Sequence, residues 1–177
     1  MFYISEIFTT PPDKFNSPLH GKIYDTLQTL GISFERVDND PAVTMQDCVA
    51  INEKLNVRIV KTLFLCNRQK TSFYLYVTTD DKPFVTKDFS KALNISRVSF
   101  APEEIMLERL GTRAGAATVF GTLLDAGNEI QVVIDRDILQ NEWYGCTDGT
   151  VTGYMRVKTK DIFDVFLPYV KHTPLFI

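Results

Sequence analysis

The octapeptide Ile59-Val60-Lys61-Thr62-Leu63-Phe64-Leu65-Cys66 constrains this chain more than any other segment. It is short, β-branched, aromatic and almost wholly apolar, the composition of a strand buried on both faces. A second run, Phe73-Tyr74-Leu75-Tyr76-Val77, follows the connector Asn67-Arg68-Gln69-Lys70-Thr71 and is equally strand-like. Lys61 is the one charge in the first run. Two placements satisfy it. Either its stem covers apolar surface while the ammonium reaches water, or the ammonium stands at a cavity where an anionic or polarised group arrives.

Around these strands the pattern alternates without strict βαβ order. Ile23, Leu27 and Leu30 form one helical stripe, with Gly31 placed for a left-handed cap. Ile32 to Val37 alternates like a half-buried strand, and Asp38-Asn39-Asp40-Pro41 breaks it. Thr44-Met45-Gln46-Asp47 has the form of a capping box and predicts a helix to about Leu55. A turn at Asp80-Asp81-Lys82-Pro83 predicts a short strand at 84–86 and a short helix at 88–93. Arg97 to Phe100 reads as a strand, and Pro102, Glu103 and Glu104 open a helix that Gly111 closes. Gly115 to Gly121 is a small-residue loop or strand edge. Ile130 to Asp135 is a strand, Tyr154 to Val157 the last one, and a helix starts near Thr159. The expected class is α+β, with a mixed, mainly antiparallel sheet or barrel rather than a doubly wound one.

The 177 residues predict a single domain over 1–177 with a substantial core. With 45% hydrophobic and 23% charged residues, the composition is that of an ordinary soluble protein. No apolar stretch approaches the roughly 20 residues that span a bilayer. The N-terminus lacks the basic and long apolar regions of a signal peptide. Cys48, Cys66 and Cys146 form no CxxC pair, which argues for a reducing, cytoplasmic setting and against disulfides or a zinc site. A net charge of −3 excludes recruitment of nucleic acid by a global field. Locally the balance differs: Lys54, Arg58, Lys61, Arg68 and Lys70 face a single acid, Glu53, and Arg156, Lys158 and Lys160 form a second basic group. Brought together they would contact phosphates; kept apart they are solvated surface charges.

Conventional catalytic sets are scarce. His20 and His172 belong to no metal or Ser-His-Asp signature and read as structural or exposed. Cys66 has no histidine near it in sequence and reads as a buried, inert thiol rather than a nucleophile. No phosphate-binding glycine loop is present, and neither a metal nor a cofactor is expected. What remains is the strand lysine, the stretch Gly115-Ala116-Ala117-Thr118-Val119-Phe120-Gly121 and the stretch Gly145-Cys146-Thr147-Asp148-Gly149.

These pieces, in order with Leu30-Gly31-Ile32, Pro41-Ala42-Val43-Thr44, Arg97-Val98-Ser99-Phe100-Ala101, Val132-Val133-Ile134-Asp135 and Asp161-Ile162-Phe163, resemble the YbaK/prolyl-tRNA-synthetase-associated family over nearly the whole chain. Within it the free-standing PrdX-like (ProX) branch is most similar. The resemblance implies a mixed sheet curled into a barrel with surrounding helices, and trans-editing hydrolysis of mischarged aminoacyl-tRNA, Ala-tRNA(Pro) first. It makes Lys61 the catalytic candidate. It makes Thr44, Thr62, Gly115, Ala116, Ala117, Thr118, Val119, Thr147 and Asp148 the substrate-binding candidates. The partners implied are the aminoacylated 3′ end of tRNA and prolyl-tRNA synthetase, with no membrane. The chain departs from the family pattern where Thr62 replaces an Asn, Val119 a Pro, Thr147-Asp148 a His-Pro, and Val151 a further Asn.

On that reading Lys61 binds the terminal-adenosine phosphate or the ester carbonyl. The N–H groups around Gly115 to Ala117 hold the aminoacyl end, because only small side chains let backbone approach so closely. Ala116 and Ala117 limit the cavity, as a second sieve must when a synthetase discriminates a methylene by only about 1–3 kcal/mol. Two other readings remain open: a non-catalytic tRNA- or synthetase-binding relative, and a hydrolase of another small acyl compound with Thr147 and Asp148 as a different polar wall.

Overall fold

A computed structural model describes residues 1–177. Helix α1 (Pro18–Thr29) starts at Ser17, whose hydroxyl accepts the His20 N–H, and ends at Gly31 with φ +68°. Strand β1 (Phe34–Asp38) follows. Helix α2 (Met45–Leu55) opens with both bonds of the capping box, Thr44 to the Asp47 N–H and Asp47 to the Thr44 N–H. Strands β2 (Lys61–Asn67) and β3 (Phe73–Thr78) lie where the two apolar runs predict them. Then come α3 (Thr86–Leu93), β4 (Val98–Phe100) and α4 (Glu103–Leu110), closed by Gly111. A 3₁₀ turn (Val119–Leu124) leads to β5 (Ile130–Ile134), and another (Arg136–Gln140) to β6 (Trp143–Thr147). Strand β7 (Gly153–Lys158) runs into α5 (Thr159–Asp161), a π-helical turn (Ile162–Phe166) and α6 (Leu167–Tyr169), before β8 (Leu175–Phe176).

The class is mixed α+β, with four antiparallel and two parallel pairings. Strand order is β4-β2-β3-β5-β8 in one sheet and β1-β7-β6 in the other. Pairing thus gives two sheets, not one closed ring. They touch where the Val60 N–H donates to the Gly145 carbonyl at 2.8 Å and Ile59 bridges Gly145 in parallel. A Cβ at Gly145 would stand 2.8 Å from Val57 and 3.0 Å from Ile59, so only glycine lets the sheets meet.

Alternation assigns the faces of the larger sheet. Phe64, Cys66, Phe73, Leu75 and Ile130 pack with Leu110 of α4, while Leu65, Val98 and Val133 pack with Phe89 of α3. The main core lies between the sheets, where Leu19, Ile23 and Leu27 of α1 and Phe166 meet Val77, Val132, Met155 and Val157. The outer face of the smaller sheet packs Val37 and Tyr154 against Ile51 and Leu55 of α2.

Three local expectations change. Residues 84–86 form no strand: Pro83 has no N–H to donate, and Phe84 packs against Tyr76, Phe89 and Phe100 instead. The Gly145 region, expected only as a glycine-rich stretch, is strand β6. Tyr154 to Val157 is not the last strand, because β8 adds to β5 in parallel; two residues carry no readable alternation.

Candidate functional site

The outer edge of β2 is paired at both ends and open in the middle. Val60 bonds Gly145 of β6, and the Phe64 carbonyl accepts the Ala101 N–H at 3.0 Å beyond β4. Between them, Lys61 to Leu63 border a pocket of about 370 Å³. Its walls are Lys61, Thr62, Phe64, Phe100, Met106, Ala114, Gly115, Ala117, Thr147, Tyr154 and Cys48, with Ile59, Val60 and Leu63.

Five of the ten sequence candidates therefore meet at one pocket: Lys61, Thr62, Gly115, Ala117 and Thr147. Lys61 is half-buried, and its ammonium donates to the Lys82 main-chain carbonyl. Lys82 is in turn held by Asp135 and Asp137, each at 2.7 Å, and the Thr78 hydroxyl donates to Asp135 at 2.7 Å. Thr147 donates to the Ala116 carbonyl at 3.2 Å and accepts the Gly149 N–H at 3.0 Å, tying the β6 end to the Gly/Ala loop. Gly115 adopts φ +88°, a conformation that side chains disfavour.

The other five stand elsewhere. Thr44 is exposed and caps α2. Ala116 is buried, and its N–H is taken by the Arg113 carbonyl at 3.1 Å. Thr118 is buried and caps the 3₁₀ turn, and Val119 lies in the main core. Asp148 turns away from Lys61: its carboxylate accepts from His20 Nε2 at 2.9 Å, Tyr24 at 2.8 Å and Thr150 at 2.7 Å. His20 Nδ1 accepts the Asn16 N–H, which leaves the proton on Nε2. Burial alone would raise the Asp148 carboxyl, but the bonds from His20, Thr150 and Tyr24 outweigh it and hold it below the usual range. Both histidines are structural and neither is exposed; His172 bonds Asp125 at 2.8 Å.

Tyr154, Cys48, Phe100 and Met106 are wall residues that sequence reasoning missed. The only signal was the parity of β7, which sets Tyr154 opposite Met155 and Val157. Burial pushes the Tyr154 phenol up to about 12 and raises the Cys48 thiol, so both stay protonated near neutrality. Lys61 is the only Lys, Arg, Asp or Glu among the pocket walls. No three His, Cys, Asp or Glu side chains gather to hold a metal ion.

Arg156 of the second basic group touches the segment of the first at one point, the Asn56 carbonyl between Lys54 and Arg58, while Arg68 and Lys70 stand in the turn after β2. Arg156 and Lys158 nevertheless stack on Trp143 and pair with Glu35 and Glu142 at 2.9 and 2.5 Å. Arg58 pairs with Asp80 at 2.6 Å.

A family model described as the aminoacyl-tRNA editing domain matches residues 39–165, a segment that includes every pocket wall. The chain belongs to the aminoacyl-tRNA editing domain family. A prolyl-tRNA editing protein ProX from Acetoanaerobium sticklandii is 29% identical over 113 residues, 64% of this chain and 69% of the relative. A prolyl-tRNA synthetase associated domain-containing protein 1 from Danio rerio is 24% identical over 161 residues, 90% of this chain and 86% of the relative. A solved structure described as a candidate trans-editing enzyme for prolyl tRNA synthetase superposes with a TM-score of 0.65 at 15% identity, covering 90% of this chain and 96% of that one. That likeness carries the editing-domain fold. No helix of this editing domain is long and apolar enough to cross a membrane.

Proposed function

We propose that this protein is a trans-acting deacylase that hydrolyses a small mischarged aminoacyl ester, alanyl first, from tRNA(Pro). The observation that carries the reading is the meeting of Lys61, Thr62, Gly115, Ala117 and Thr147 at one pocket in the gap of the β2 edge. Its volume of about 370 Å³ suits a small aminoacyl group with part of its ribose. Lys61 supplies the only fixed positive charge at that pocket, for the ester carbonyl or the adjacent phosphate. Ala117 and Met106 restrict the space left for the amino-acid side chain. The two sheets, joined at Gly145, supply the frame of an incompletely closed barrel around it.

An aminoacyl ester is already activated, so positioning a water and stabilising the oxyanion carry much of the rate. Water oxygen attacks the carbonyl carbon, the bond to the ribose oxygen breaks, and a water proton passes to that oxygen. Tyr154 and Cys48 are protonated and unsuited as bases. The neighbouring ribose hydroxyl of the tRNA end relays the proton. Single-domain action over 1–177 and a partnership with prolyl-tRNA synthetase belong to the same proposal.

The test is release of alanine from Ala-tRNA(Pro) by wild type and by Lys61→Ala. Wild-type hydrolysis well above buffer, with Lys61→Ala near background, supports the reading. Equal rates from both at the buffer background overturn it. A second reading, a tRNA-binding module without catalysis, is favoured by the absence of a His, Asp or Glu among the pocket walls. Salt-dependent tRNA binding that leaves every ester intact would establish it.

A further inference from the structure

Thr62 offers the pocket more than its hydroxyl. Along β2, the odd residues Lys61, Leu63 and Leu65 lie opposite Thr78, Tyr76 and Tyr74 of β3, and the Asn67 N–H bonds the Ser72 carbonyl. The even residues turn their main chain the other way: Val60 to Gly145, Phe64 to Ala101. The same parity directs both the N–H and the C=O of Thr62 into the gap between β4 and β6, where no strand meets them. An edge residue in that state presents one donor and one acceptor side by side, the pattern that completes itself with one more extended residue.

We infer that the main chain of Thr62 is the docking point of the aminoacyl group, which lies against β2 as a single added strand residue. The Thr62 N–H donates to the ester carbonyl, and the Thr62 C=O accepts from the α-ammonium. An α-aminoacyl ester carries that acceptor and that donor at the spacing of one extended residue, so the two bonds form together. A simple acyl ester lacks the α-donor and forms only one. The geometry makes the substrate class α-aminoacyl esters, with side-chain size read separately by the walls. As charge develops on the carbonyl oxygen, the bond from Thr62 N–H strengthens. The inference rests on the deacylase reading above and adds to it the group that holds the ester.

Two variants separate main chain from side chain. Thr62→Pro removes the N–H at an edge position where proline is tolerated, and Thr62→Val removes only the hydroxyl. Thr62→Pro is expected to lose on the order of 100-fold in kcat/KM on Ala-tRNA(Pro), the cost of one oxyanion donor, and Thr62→Val to lose far less, on the order of a few-fold for one pocket hydroxyl. In parallel, ¹⁵N-labelled wild-type protein is titrated with the alanyl amide of 3′-amino-3′-deoxyadenosine, which cannot be hydrolysed as an ester. A large shift of the Thr62 amide resonance supports the inference even if the proline variant fails to fold. Shifts at Gly115 and Ala117 without one at Thr62, a folded Thr62→Pro at the wild-type rate, or an equal loss in Thr62→Val each overturn it. A wild type that neither hydrolyses the ester nor responds to the amide overturns the deacylase reading itself.

Discussion

The Lys61 ammonium donates to the main-chain carbonyl of Lys82, so one lysine is aimed by another. Lys82 sits in the loop after β3, and its own ammonium is clamped between Asp135 and Asp137. An ammonium has three donors. One goes to Lys82, and on the deacylase reading the other two are left for the substrate.

Asp135 is therefore predicted to position Lys61 without touching substrate. Burial pushes its carboxyl up, but bonds from Lys82, Thr78 and the Asp137 N–H prevail and leave it below the ordinary value. Asp135→Asn should lower kcat on Ala-tRNA(Pro) on the order of tenfold, with a smaller change for the half-exposed Asp137→Asn. Because the folded pKa is depressed, the stability this group contributes is present above its unfolded value of about 3.9 and is lost as pH falls through the folded value. Steady-state kinetics and acid titrations of both variants check this.

Asp148 locks α1 to the turn after β6, not the pocket. Asp148→Ala strips His20, Tyr24 and Thr150 of one shared acceptor and should cost about 3 kcal/mol in urea unfolding. Its contribution has the same sign as that of Asp135, since its folded pKa is also depressed. The wild-type midpoint should fall in acid more steeply than that of Asp148→Ala.

Thr44, though within the segment that resembles the family, is a helix cap. Thr44→Ala should lower stability by about 1 kcal/mol and leave KM for Ala-tRNA(Pro) unchanged. A raised KM at unchanged stability would restore it to the pocket.

Ala117 lines the pocket while half-buried, so a larger side chain there fills the site rather than the core. Ala117→Leu should abolish alanyl release and leave the thermal midpoint near that of wild type, measured by deacylation and calorimetry.

Tyr154 stays a neutral phenol, with burial pushing it up to about 12. Tyr154→Phe should retain most of the deacylation rate. The pH–rate profiles of both proteins should share the same shape below pH 10, which a tyrosinate base would not allow.

Much was legible in the sequence wherever the signal was local. The capping box at Thr44 and Asp47, the glycine cap of α1, and the runs that became β2 and β3 are set by neighbouring residues. Strand β6 escaped because Gly145 interrupts its alternation, and that glycine exists to let Val57 and Ile59 of a distant segment approach. Asp148 adjoins Thr147 in sequence, yet the chain reversal after β6 sends one toward α1 and the other toward the Gly/Ala loop.

The sequence by itself determined the α+β class, the family and the presence of a lysine at the head of a buried strand. Periodicity, capping residues and ordered motifs act over a few residues and survive without a partner. Tertiary structure alone decided where that strand is left unpaired. The gap beside Thr62 depends on where β4 stops and β6 begins, and strand ends are set by contacts between segments far apart in the chain.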